Sequence, residues 1–195
     1  MSVYPTRLEL VVLGTNPDAG REVAAATGGI AYVANEATHD KAPFRSIVRA
    51  VVADPDLLAP AADVAMHLVC SRQIKSHAVT WAPGEQTPGV VGCFGLRGRE
   101  EHTHQQTDDH WHHTHAPLAL THHAAMWDYV QLSVVRTLDG PALDGIALCA
   151  FPTLEDHDLR FFNDAESERI INADVASFAD LRRSPRPAVL SEILF

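Results

Sequence analysis

Residues 129–151, YVQLSVVRTLDGPALDGIALCAF, decide the fold. Tyr129 to Thr137 alternates apolar and polar residues, the period of a half-buried strand. Asp139-Gly140 is turn chemistry, and Ile146 to Phe151 (IALCAF) is a second apolar run. Working toward the N-terminus, Gly89 to Leu96 (GVVGCFGL) reads as a strand. Thr107-Asp108-Asp109 then opens a helix, with acids at the positive end of its dipole. Pro117 disfavours α conformation at Ala116, so this helix is expected to stop at His115. A second helical segment with Pro117 in its first turn runs to Met126. Toward the C-terminus, Pro152 to Asn163 and Glu166 to Phe178 read as helices and Ala188 to Leu194 as a strand. The order is βαββαβ, that of a ferredoxin-like unit.

The first half gives a poorer version of that order. Leu8 to Gly14 is a strand, Asn16-Pro17-Asp18 a turn, and Ala19 to Ala26 a short helix ended by Gly28-Gly29. Ile30 to Val33 and Ile47 to Ala53 follow as strands. Asp54-Pro55-Asp56 opens an Ala-rich helix to Gln73, and His77 to Trp81 is a strand. Residues 82–88, APGEQTP, form the clearest linker. The chain therefore divides into 1–87, a diverged ferredoxin-like half, and 88–195, a well-formed one. The fold class is α+β: ferredoxin-like βαββαβ units, each with helices on one face of a sheet. The bare faces need a cover, either the other half as an intrachain tandem or a second chain, and either gives a dimeric α/β barrel. Two facing sheets are expected to enclose a pocket.

The chain has 195 residues and 21.2 kDa, with 46% hydrophobic and 21% charged residues, which suffices for a packed core. The net charge of −10 and only two lysines, Lys41 and Lys75, argue against a nucleic-acid surface. No apolar run reaches the length of a membrane span, and no secretory signal is read at the N-terminus. Cys70, Cys93 and Cys149 are dispersed among apolar neighbours, as free thiols in a reducing cytoplasm would be.

Histidine is the outlier: 12 residues, eight of them between His102 and His123. At helical spacing they do not share one face. His110 pairs with His113 and His112 with His115, while Asp108, Trp111 and His115 form a third stripe that carries the large apolar residue and faces inward. That places His112 nearer solvent and His110 and His113 in it. One reading is a solvated histidine surface. Another is chelation of zinc, nickel or copper, although no HExxH motif is present. A third is a general acid/base at His115, where the helix C-terminus favours imidazolium and burial opposes it. One of His122 and His123 must also face inward, and Trp127 and Tyr129 stand close enough to line the same pocket.

The ordered set Trp111-x3-His115-Ala-Pro117-Leu118, Tyr129-Val-Gln131, Asp144-Gly145-Ile146-Ala147, Thr153-Leu154-Glu155-Asp156 and Asn172-Ala-Asp174-x3-Phe178 resembles the EthD family over about residues 88–195. The resemblance implies a dimeric α+β barrel and a homodimer. It also implies a place among polyketide cyclases, decarboxylases, cofactor-free monooxygenases and, more distantly, haem proteins. His115 falls on the family's histidine; Leu148 stands where many relatives carry an acid.

The expected function is a cofactor-free acid/base enzyme of cyclase, dehydratase or decarboxylase type. Its substrate would be a small hydrophobic aromatic or polyketide-like molecule in the barrel pocket. His115 is the acid/base, with His122 or His123 assisting; Trp111, Tyr129, Trp127 and Asp108 contact substrate. The alternatives are a metal- or haem-binding protein using the His102–His123 cluster and a non-catalytic ligand-binding accessory protein.

Overall fold

The computed structural model describes residues 5–78 and 81–195. Its strands are β1 (Thr6–Gly14), β2 (Ile30–Ala34), β3 (Ser46–Ala50), β4 (Ala65–Lys75), β5 (Val90–Leu96), β6 (Asp128–Asp139), β7 (Gly145–Phe151) and β8 (Ala188–Leu194). Its α-helices are α1 (Pro17–Thr27), α2 (His104–His110), α3 (Ala116–His122), α4 (Leu154–Leu159) and α5 (Ala165–Phe178). The strands close into one antiparallel barrel in the order β1-β3-β2-β8-β5-β7-β6-β4, with β4 returning to β1 in the register Val11↔His67. Strands from residues 1–87 are contiguous in this order, and so are those from 88–195. The two sets join at β2–β8 and β4–β6. One chain thus closes the sheet, and no barrel strand is left with an open edge.

Alternation along the strands sorts side chains between two cores. Val11, Leu13, Ile47, Val69, Leu132 and Leu190 belong to the cluster that fills the barrel. Leu10, Val12 and Val48 point outward, under Val23 and Ala24 of α1. α1 starts where Asn16 caps the amides of Asp18 and Ala19, and it stops at Gly28, whose φ of 61° suits a residue without Cβ. The second outward core packs α3 and the α4–α5 region onto β6 and β7 through Ala116, Ala119, Tyr129, Cys149 and Phe151.

The barrel interior also holds a charged group. Arg49 donates to both carboxylate oxygens of Glu9 (2.8 and 3.0 Å), to Tyr32 Oη (3.1 Å) and to Ser71 Oγ (2.8 Å). Burial alone would raise the Glu9 carboxyl, but Arg49 and Arg7 hold it below the usual carboxylate range.

Three expectations are corrected. The Ala-rich helix from Asp54 to Gln73 does not form: two short 3₁₀ turns, Pro55–Leu57 and Ala59–Ala61, precede the long strand β4. β4 pairs on both sides, and eight residue partners on β1 outweigh the helical preference of the Ala-rich stretch before it. The expected strand at His77 to Trp81 is not strand at His77, Ala78 or Trp81, and residues 79–80 lie outside the described residues. The pocket expected inside the barrel is occupied by side chains such as Tyr32, Leu148 and Leu190, all at most 2% exposed.

Candidate functional site

The segment from His104 to His122 is one continuous helical run, not two. Thr103 and Gln106 form a capping box, with the Gln106 amide on Thr103 Oγ1 (3.2 Å) and the Thr103 amide on Gln106 Oε1 (2.8 Å). The helix thus starts earlier than Thr107. Between α2 and α3, Trp111–His115 winds as a π turn, in which the Ala116 amide reaches Trp111 O. Ala116 is helical (φ −59°, ψ −45°), so the break expected before Pro117 does not occur. The widened turn gives up the regular bonding that proline would violate, and the helix continues past it.

The π turn faces the outer side of β6 and β7, across from α5. Between these layers lies a cavity of about 410 Å³, walled by aromatic rings that include Phe94, Trp111, Tyr129, Phe161 and Phe178. This is the size and lining of a small-molecule site. It lies between helices and sheet, outside the barrel.

His115 is 8% exposed and borders this cavity. Its Nδ1 is 2.8 Å from Asp174 Oδ2, while Asp174 Oδ1 is 2.8 Å from His110 Nε2. Burial alone would raise the Asp174 carboxyl, but hydrogen bonds from His115 and His110 hold it below the usual carboxylate range. An ionised carboxylate accepts only, so each histidine presents N–H to it. The His115 contact engages Nδ1 and leaves Nε2 as the other ring nitrogen. Among the described residues Nε2 makes no hydrogen bond, and the ring borders the cavity.

His123 also borders the cavity. Its Nδ1 bonds the Phe161 carbonyl (2.5 Å), and burial pushes its pKa down to about 4, so it is a neutral imidazole at physiological pH. Tyr129 Oη accepts from Trp111 Nε1 (3.2 Å) and Gln131 Nε2 (3.0 Å), and burial raises its pKa well above the ordinary value. Gln131 also donates to Trp111 O (3.0 Å), fixing the start of the π turn. Cys149 sits on the cavity floor as a thiol, pushed up to about 12 by burial.

The remaining candidates lie elsewhere. His122 points away from the cavity, its Nδ1 3.0 Å from Ser167 Oγ on α5. Asp108 is engaged by Arg72 of β4 (2.7 and 2.6 Å). Trp127 stacks on His77 at 4.2 Å between ring centres, near Trp81. His113 is exposed as expected, but His110 is only partly so: it stacks on Phe178 at 4.9 Å because α5 crosses that face of the helix.

The other histidines also take separate partners. His104 meets Asp144 (3.2 Å) and His112 meets Gln131 (3.2 Å). Among the described residues no three His, Cys, Asp or Glu side chains converge as a metal-holding group. The residue that composition and helical spacing overlook is Asp174, 59 positions from its partner in the chain. Its only trace is the Asn172-Ala-Asp174 motif.

No protein-family model and no curated protein matches the chain. Among solved structures, it resembles an anthrone oxidase-like protein with a TM-score of 0.52 and 12% identity, over 97% of this chain and 91% of that one. A candidate monooxygenase from Lactobacillus acidophilus NCFM aligns at TM-score 0.48 and 8% identity, over 96% and 93%. At 12% identity the likeness to the first of these is one of fold alone: an α+β barrel, here closed by a single chain.

Proposed function

We propose that this chain is a small-molecule enzyme in which His115, oriented by Asp174, removes a proton from a flat, hydrophobic aromatic or polyketide-like carbonyl compound held in the aromatic cavity. The observation that carries the reading is the 2.8 Å contact between His115 Nδ1 and Asp174 at the wall of the aromatic cavity, which leaves Nε2 to meet the substrate. A carboxylate behind an imidazole fixes its tautomer and stabilises the imidazolium that forms on proton transfer. Aromatic walls stack the substrate, and neutral His123 accepts a hydrogen bond from a substrate hydroxyl.

Proton removal beside a carbonyl is the first step of cyclisation or dehydration, and the same histidine as imidazolium would protonate the carbanion that decarboxylation leaves, a lyase or isomerase role that needs no cofactor. In support of an EthD-type assignment, Trp111, His115, Asn172 and Phe178 of the resembling motifs all border the cavity, and Asp174 stands behind His115. We read residues 1–87 and 88–195 as two ferredoxin-like units fused in one chain, a reading supported by their contiguous strand sets.

The likeness to an anthrone oxidase-like protein favours a second outcome of the same first step. The carbanion of an anthrone would reduce O2: its methylene becomes a carbonyl, one oxygen atom is retained, and the other leaves as water.

Anthrone in D2O tests both. Without oxygen, deuterium exchange at the methylene isolates proton abstraction; with oxygen, oxygen uptake and quinone absorbance follow oxidation. Exchange catalysed equally by wild type and His115→Ala would sink the acid/base reading. Exchange without oxygen uptake would leave the lyase or isomerase reading over the oxidative one.

A further inference from the structure

We propose that His110 is a positioning residue of the site: it holds Asp174 from the solvent side, so that the second carboxylate oxygen locks His115 as the Nδ1–H tautomer. The inference rests on the reading of His115 as the proton-transferring group.

In a regular α-helix, residues five apart differ by about 140° in direction, so His110 and His115 could not grip one carboxylate. The π turn at Trp111–His115 closes through a bond five residues back, from Ala116 N to Trp111 O, and brings the two imidazoles onto one side. α5 answers with two residues one turn apart. Asp174 accepts from both histidines at 2.8 Å. Phe178, 1% exposed, packs against both rings, at 4.9 Å from His110 and 5.5 Å from His115. Asp174 thus has one oxygen per histidine, and its rotation is fixed at both ends.

Without His110, Oδ1 loses its donor inside a half-buried space. The carboxylate then gains by turning toward water or by bonding His115 through either oxygen. The histidine side chain retains 30% exposure, so it is the member of the trio that solvent reaches first. Ser177 Oγ stands 3.4 Å from the same His110 nitrogen and cannot replace it, because its own proton goes to Asp174 O at 2.6 Å.

The test compares His110→Phe, which keeps a ring on Phe178 but donates nothing, with His110→Gln, which keeps a neutral N–H donor. Long-range 1H–15N NMR of the ligand-free protein reads the His115 tautomer directly. Wild type and His110→Gln should show a single Nδ1–H form, and His110→Phe a mixture. In the anthrone exchange assay, His110→Phe should lose about 10-fold in kcat with KM within about twofold, and His110→Gln should recover most of the loss. If His110→Phe misfolds, His110→Ala gives the same NMR readout. An unchanged tautomer in the donor-less variants overturns the proposal. Failure of His115→Ala to affect exchange would instead overturn the enzymatic reading, with the tautomer measurement still deciding the link between His110 and His115.

Discussion

The Trp111 ring lies directly over Gly145 of β7, where a Cβ would overlap its six-membered edge. Gly145 thus sets how deeply the π turn sits on the sheet, and with it the depth of the cavity. Gly145→Ala should displace Trp111 and cost about 1–3 kcal/mol of stability. Urea unfolding monitored by tryptophan fluorescence would measure this, and a fluorescent aromatic probe should lose affinity in the same variant.

His115→Ala should lower kcat by about 10²–10⁴-fold, the range of a positioned general base. Asp174→Asn should cost less, about 10–10²-fold, because the imidazole remains but its tautomer is no longer imposed. Steady-state kinetics on both variants checks the order. A larger loss in Asp174→Asn than in His115→Ala would contradict it.

His67 and His123 are both pushed down to about 4 by burial, from an ordinary value near 6.5. The unfolded chain therefore binds protons between these limits that the folded chain refuses. Stability should fall as pH drops from about 6.5 toward 4, by roughly 2–3 kcal/mol per histidine, and level off below. His67 is fully buried in the barrel wall, with Nε2 unpartnered among the described residues. His67→Leu should flatten that slope, as denaturant melts at pH 7, 6 and 5 would show.

Two interior carboxyls act in the opposite sense. Burial raises Asp128 and Glu192, and the charge of Asp128 raises Glu192 further. The folded chain holds these protons more tightly than the unfolded one, so their ionisation costs stability as pH rises above the ordinary carboxylate value. Asp128→Asn, which can still bond Gln73 (3.0 Å), should raise the Tm at pH 8 and matter less at pH 4.5. A lower Tm at pH 8 would refute this.

Arg49 bonds Glu9, Tyr32 and Ser71 together in the barrel interior. Arg49→Met should destabilise by about 3–5 kcal/mol, because Glu9 is left charged with only the largely exposed Arg7 beside it. Arg49→Met combined with Glu9→Leu should recover much of that loss, and a double-mutant cycle measures the recovery.

The second half was legible because its strands alternate or sit between turn residues. β5 to β8 and α5 fall within a few residues of where Gly89–Leu96, Tyr129–Thr137, Ile146–Phe151, Ala188–Leu194 and Glu166–Phe178 place them. β4 was not, because a strand buried on both faces loses the period that separates strand from helix, and Met66, Leu68 and Cys70 fit either template. The helix through Pro117 was hidden because a π turn has no composition signal, only a tertiary one, here Gln131 on Trp111 O. Helical spacing turned Trp111 and His115 inward correctly, and both border the cavity. The same α spacing sent His110 to solvent, since it assumes the regular turn that the π segment replaces. Asp174 depends on how α5 crosses the helix, which only packing decides.

The way the barrel closes carries a consequence for stoichiometry. A barrel made from two identical chains repeats every cavity by symmetry, and its two sites can communicate. Here the halves differ: 3₁₀ turns stand where the second half carries α4 and α5, and α1 packs on its sheet through small Val and Ala side chains. The His115 site is built from the second half alone. Ligand should therefore saturate at one molecule per chain, with a hyperbolic isotherm.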